Sequence, residues 1–190
     1  MLFIEMPIQL SSLGALSIVS GNVGIGTTNP QAQLHVNGNF YSPGAIIQFQ
    51  GKNQNLSAAT TSTTFVASGL AISISPKYAK SKVLVHFIAT GYTPNGSNGV
   101  AVSIYRKIGT GVPVDVYSSQ VFGFAGAHNL QTYGAGDGIH SRCVSSFIDS
   151  PNTTSSITYE VYFKSYSGVT VQLGNSGNSP CDIHAFEIAA

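Results

Sequence analysis

The sequence predicts an all-β protein whose larger part is a β-sandwich or jelly roll. Three observations carry this. Apolar and polar residues alternate with a period of two over several runs. Turn residues separate those runs, and no segment sustains the 3.6-residue period of a helix. The cleanest run sets Ile157, Tyr159, Val161 and Phe163 against Thr158, Glu160, Tyr162 and Lys164, a strand with one buried and one wet face. About eight or more short strands with such turns imply a closed two-sheet architecture.

Taken in order, the chain falls into three zones: residues 1–20, 21–50 and 51–190. The first, MLFIEMPIQLSSLGALSIVS, has no basic start, places Glu5 early and breaks its apolar stretch with Pro7, Gln9, Ser11 and Ser12. That is a poor secretory leader. It reads as an attachment or linker segment, or as the start of a fragment cut from a longer fibre. A protein without a leader that works outside a cell fits assembly in a host cytoplasm and release by lysis.

The second zone opens with GNVGIGTTNPQAQLHVNG (21–38) and closes with Ala45-Ile46-Ile47-Gln48-Phe49. Gly24 and Gly26 permit backbone angles that a Cβ forbids. Pro30 fixes one φ and gives up a donor. Only Val23, Ile25, Leu34 and Val36 are available for burial, and an isolated hairpin of this kind is marginal in water. The segment makes sense where identical chains lie side by side and these four residues meet on a common axis. A homotrimer is the expected assembly.

The third zone carries the strands of the sandwich. Leu70-Ala71-Ile72-Ser73-Ile74 is one. Val83, Val85, Phe87 and Ala89 alternate with Leu84, His86, Ile88 and Thr90, so this strand is expected to be buried on both faces. Val100, Val102 and Ile104 follow, then residues 139–149, 157–164, 169–173 and 182–188. Between them stand Ser75-Pro76, Pro94-Asn95-Gly96, Gly109-Thr110-Gly111, Ser150-Pro151-Asn152 and Gly174-Asn175-Ser176-Gly177, all turn chemistry.

Two stretches carry a family likeness. Val23-Gly24-Ile25-Gly26-Thr27-Thr28-Asn29-Pro30, then Leu34-His35-Val36-Asn37-Gly38, resembles the GIGT-x-x-P…L-x-V-x-G unit of phage tail fibres and related trimeric virion adhesins. Further on, residues 75–85 (SPKYAKSKVLV) and 147–154 (FIDSPNTT), followed by Tyr159-Glu160-Val161-Tyr162-Phe163, resemble the C-terminal knob domains of phage and marine-virus fibres. These resemblances imply a short trimeric fibre-like segment followed by a trimeric jelly roll akin to tumour-necrosis-factor-like heads. They also imply a place in the virion, with residues 1–20 contacting other virion proteins.

Composition bounds the function. Charged residues make up 8% of the chain, against about 25% in a typical soluble domain. Ser, Thr, Asn and Gly fill the deficit, as in extracellular β-rich and viral structural proteins. Net charge is +1 and the basic residues are scattered, so no stripe exists to neutralise nucleic-acid phosphates. No apolar run reaches the roughly 20 residues of a helical membrane span, and membrane insertion is not expected.

No catalytic arrangement stands up in the sequence, and none is expected. Gly24-Ile25-Gly26 opens a dinucleotide-like glycine pattern, but Asn29 replaces its third glycine and no helix follows. Asp137, His140, Ser141 and Arg142 are near neighbours in sequence, which is not the spatial convergence a triad needs. The few acidic residues, among them Asp115, Asp137 and Asp149, are too scattered to argue for glycoside cleavage. Cys143 and Cys181 read as buried free thiols rather than a zinc pair. Of the histidines, His35 and His184 could each meet its copies on a threefold axis. Ordinary structural or surface histidines are the simpler reading, so neither a metal nor a cofactor is expected.

The recognisable binding features are two polar, aromatic-bearing loops. Residues 91–99 (GYTPNGSNG) carry Tyr92, Asn95 and Asn98. Residues 122–138 (FGFAGAHNLQTYGAGDG) carry His128, Asn129, Gln131, Tyr133 and Asp137, while Phe122 and Phe124 read as packing groups. Aromatic faces stack on sugars, and amides and carboxylates bind their hydroxyls, so a host-surface glycan or receptor is the expected ligand. The competing expectation is a head-fibre or capsid decoration protein that binds no receptor.

Overall fold

A computed structural model describes residues 16–38, 41–93, 99–117, 128–131, 139–174 and 180–190. The chain divides into two units, Met1–Ser42 and Pro43–Ala190. Every regular element among the described residues is a strand, as the alternation predicted.

The first unit is a three-stranded sheet of β1 (Leu16–Val19), β2 (Asn22–Ile25) and β3 (Leu34–Val36). The hairpin expected within 21–38 is formed instead by β1 and β2, and β3 runs parallel to β2. The turn explains it. Ser20 and Gly21 both hold positive φ, 51° and 82°, which suits the right-handed twist of a two-residue hairpin. The last residues of the segment expected to be a linker therefore belong to this sheet. Gly26 has φ 70°, as expected for its place. Gly24 does not need an unusual φ. It is required because a Cβ there would overlap the Thr27 carbonyl oxygen and crowd Ser17 Oγ.

Registers in this sheet place all of its apolar residues but Val19 together. Val23 pairs with Leu34 and Ile25 with Val36, while Ile18 and Leu16 pair with Val23 and Ile25 from the other side. Paired positions share a face, so six apolar residues occupy one side of a very small sheet. Ile18 is 71% exposed, Leu34 57% and Ile25 43%. Ser17, Val19, Asn22, Gly24 and His35 form the other face, where Val19 is 44% exposed.

The second unit contains β4 (Ile46–Asn55), β5 (Ala58–Thr60), β6 (Val66–Ile74), β7 (Lys82–Thr93), β8 (Gly99–Ile108), β9 (Val114–Asp115), β10 (His128–Gln131), β11 (Ile139–Asp149), β12 (Ile157–Ser165), β13 (Val171–Leu173) and β14 (Pro180–Ile188). Residues 46–50, read above as the close of the fibre zone, are the first half of β4. That strand pairs with β14 along its length.

One sheet runs β4-β14-β7 with β11 on the far edge of β7, and the short β13 and β5 extend it. The other runs β10-β8-β12-β6, with β9 beside β8. Counting principal strands only, the orders are first–last–third–sixth and second–seventh–fourth–fifth, which is a jelly roll. All the pairings in this unit are antiparallel.

Alternation dictates the core. Val83, Val85 and Phe87 of β7 meet Ile157, Tyr159, Val161 and Phe163 of β12, all of them buried. The opposite side of β7, with Leu84, His86 and Ile88, is only half-buried, so burial on both faces holds in part. Two polar devices close the sandwich. The fully buried Glu187 carboxylate accepts the Lys77 amide at 2.8 and 2.9 Å, the Tyr78 amide at 3.2 Å and Gln48 Nε2 at 2.6 Å. It thereby pins the Ser75–Tyr78 turn and leaves no lone carboxylate in the core. Arg106 Nη1 of β8 donates to both oxygens of Asp149 of β11, at 2.8 and 2.9 Å, and so ties one sheet to the other.

Cys143 and Cys181 are both buried and free, as expected. Cys143 pairs with Ala89 across one edge of β7, and Asp182 pairs with Ile88 across the other. The two cysteines thus stand two strands apart, roughly 9.5 Å at ordinary strand spacing, too far for a disulfide.

Candidate functional site

Of the expected ligand residues, Tyr92 is described in full. It lies in β7, opposite His140 of β11 and Gln172 of β13, and is half-buried. It is therefore a strand residue rather than a loop residue, because β11 holds β7 in register through Gly91 to Thr93. His128 and Asn129 are also strand residues, in β10, opposite Val102 and Ala101 of β8. Asn95, Asn98, Tyr133 and Asp137 lie outside the described residues, as do Phe122 and Phe124. The strand ends that bound these segments come together. Gln131 pairs with Gly99, and Ile139 with Thr93.

The other candidates separate. His140, Ser141 and Arg142 are successive positions of β11, opposite Tyr92, Gly91 and Thr90. Asp115 accepts Ser103 Oγ at 2.7 Å and the Tyr117 amide at 3.1 Å. Asp149 belongs to the Arg106 pair and accepts the Tyr159 hydroxyl at 2.7 Å. These carboxylates hold structure. His35 sits on the face of its sheet opposite Val23, Ile25, Leu34 and Val36. His184 is half-buried on the outer side of its sheet, 5.7 Å from the Phe49 ring and 6.1 Å from His86.

A cleft of about 130 Å³ lies on the outer side of the β10-β8-β12-β6 sheet. Tyr105 and Lys107 of β8, Thr158, Glu160 and Tyr162 of β12, and Pro113 line it. Registers put them there: Lys107 opposes Thr158 and Tyr105 opposes Glu160, with Tyr162 on the diagonal. The Tyr105 and Tyr162 rings stack at 4.0 Å and 18°. Lys164 Nζ sits 5.0 Å above the Phe65 ring beside them.

The polar groups of this cleft are largely unspent. Glu160 Oε1 accepts the Gly69 amide at 3.0 Å, and Thr158 shares a 3.0 Å hydrogen bond with Ser73. Among the described residues, the Lys107 ammonium, Glu160 Oε2 and the hydroxyls of Tyr105 and Tyr162 have no hydrogen-bond partner. Burial first, then the Asp115 charge and Tyr162, pushes the Tyr105 hydroxyl upward from its ordinary value. Burial and then Glu160 do the same for Tyr162. Both phenols are therefore neutral donors at physiological pH. A cleft with aromatic and proline walls, free donors and one free carboxylate oxygen can hold a small polar ligand with an apolar face.

The sequence signal for this cleft was the wet face of β12 itself, Thr158-x-Glu160-x-Tyr162. Which residues of β8 stand beside it depends on register, and register is not readable from one strand.

No protein-family model matches the chain, and no curated protein matches it significantly. Solved structures give distant likenesses. One is the crystal structure of infectious bursal disease virus VP2 subviral particle, with 11% identity and a TM-score of 0.41 over 77% of this chain and 39% of that one. The infectious bursal disease virus Gt strain structure gives 10%, 0.40, 77% and 39%. Dimeric latent PorU from Porphyromonas gingivalis gives 11%, 0.28, 80% and 14%. The chain thus spans about two fifths of the length of the first of these and less of the last.

Proposed function

We propose that the protein is a trimeric virion fibre protein whose jelly-roll head binds a receptor on the host surface, a surface glycan. The observation that carries this is the first unit. Six apolar residues share one face of a sheet of eleven strand residues, and the outermost are largely exposed. A sheet this small is not stable with that face in water. Copies of the chain around a threefold axis cover it and leave no open assembly. The fibre-like sequence of this segment supports a place in the virion, with the chain N-terminal to β1 meeting other virion proteins.

The head offers a matching surface. The outer side of the β4-β14-β7-β11 sheet carries Phe49, Val144 and Ile148 exposed, with Leu84, Ile88 and Phe186 half-buried between them. The outer side of the other sheet carries Lys107, Glu160 and Lys164 instead. Packing between heads uses the apolar sheet and leaves the polar sheet and the loop end free for a receptor.

The test is binding of the purified protein to host cells, beside Tyr92→Ala and Tyr133→Ala variants with melting temperature as the folding control. Saturable binding by the parent supports the receptor reading, and loss in folded variants assigns the loop end. A trimer that binds no host cell is a head-fibre or decoration protein instead.

A further inference from the structure

We propose that the cleft between Tyr105, Lys107, Pro113, Thr158, Glu160 and Tyr162 is a pyranose-binding subsite, an inference that rests on the reading of the head as a glycan-binding domain. It lies on the face of a sheet and does not use the loops at the end of the sandwich. Four features together point to a sugar. First, the walls are carbon surfaces of the kind that pack against the C–H face of a pyranose: two tyrosine rings and a proline. Second, the polar groups around them are of both kinds. The Lys107 ammonium and the two phenols donate, and Glu160 Oε2 accepts. Vicinal sugar hydroxyls, each both donor and acceptor, match such a set.

Third, these groups have no protein partner among the described residues, whereas the carboxylates of Asp115, Asp149 and Glu187 are all engaged. A half-buried ring pair that served packing alone would not need an uncommitted ammonium and carboxylate oxygen around it. Fourth, the site is preorganised. Glu160 is held through Oε1 by the Gly69 amide, and Tyr105 is braced by Tyr162, so little side-chain entropy is lost on binding. With Lys107 and Glu160 offsetting each other, the cleft suits an uncharged hexose or N-acetylhexosamine.

The experiment is saturation-transfer NMR and chemical-shift titration of the whole chain with the methyl pyranosides of glucose, galactose, mannose and N-acetylglucosamine. The expected result is transfer to the ring C–H protons of at least one of them. Its affinity should fall about tenfold or more in Tyr105→Ala and Tyr162→Ala, and severalfold in Glu160→Gln, a change that keeps the shape and acts as a second variant should an alanine disturb the fold. Unchanged affinity in all three folded variants overturns the cleft. So does the absence of transfer from every pyranoside. In either case host-cell binding by the parent protein separates the two ideas: retained binding leaves the receptor reading standing, and lost binding removes both.

Discussion

Tyr159 of one sheet donates its hydroxyl to Asp149 of the other at 2.7 Å, inside the sandwich. The same carboxylate takes both oxygens' worth of Arg106 Nη1 and the Ser150 amide. Asp149 is thus the junction at which β8, β11 and β12 are tied. Removing it strands a guanidinium and a buried phenol together. Asp149→Ala is expected to cost about 3 kcal/mol, which for a chain of this size lowers the melting temperature by about 6–12 °C. Thermal unfolding followed by circular dichroism measures it, and a change within 1–2 °C would remove the junction from the account.

Tyr159 also sets an alkaline limit. Burial, first, and then the Asp149 charge and hydrogen bond drive its ionisation far above the ordinary value of 10.0. The folded state keeps the proton that the unfolded state gives up. This contribution to stability is complete below pH 10 and is lost progressively as pH rises above it toward the folded value. Absorbance of phenolate at 295 nm should therefore rise in two stages, exposed tyrosines first and Tyr159 together with loss of the sheet signal. Full ionisation of every tyrosine in a still-folded protein would contradict this.

The cysteines should behave as packing residues. Burial pushes the Cys143 thiol up to about 11, and burial also raises Cys181, an effect that a backbone hydrogen bond with Thr90 only partly offsets. Neither offers thiolate at neutral pH. Ellman's reagent should react slowly with the native protein and with both thiols after unfolding, without reductant. Fast native reaction, or fewer than two thiols after unfolding, would overturn the assignment.

Much of the head was legible in sequence. β12 was readable because it sets an apolar file against a polar one, and the expected strand over 139–149 has the bounds of β11. The second half of β4 was not. Gly51 to Asn55 is polar, and it is a strand only because β14 pairs with it. Tyr92 was read as a loop residue because glycine and proline flank it, yet pairing with β11 carries β7 past Gly91. β10 was hidden in a glycine-rich stretch for the same reason: cross-strand partners, rather than local preference, make it a strand. The cleft could not be seen at all, since Tyr105 and Glu160 meet only through the β8–β12 register.

Ile25 offers a point test of the first unit. It pairs with Leu16 on one side and Val36 on the other, in the middle of the apolar face. In the proposed trimer, Ile25→Asp would put three unpaired carboxylates into one interface, at a cost of about 3–5 kcal/mol per buried charge. The variant should dissociate, or assemble only at far higher concentration, while its head keeps the same sheet spectrum. Assembly and melting equal to the parent would mean that this face is not the axis.

The central claim is assembly in threes, and sedimentation equilibrium of the whole chain at micromolar concentration tests it most directly. The account predicts a single species of three times the 19.8 kDa of one chain. A folded, stable monomer of 19.8 kDa at that concentration would contradict it.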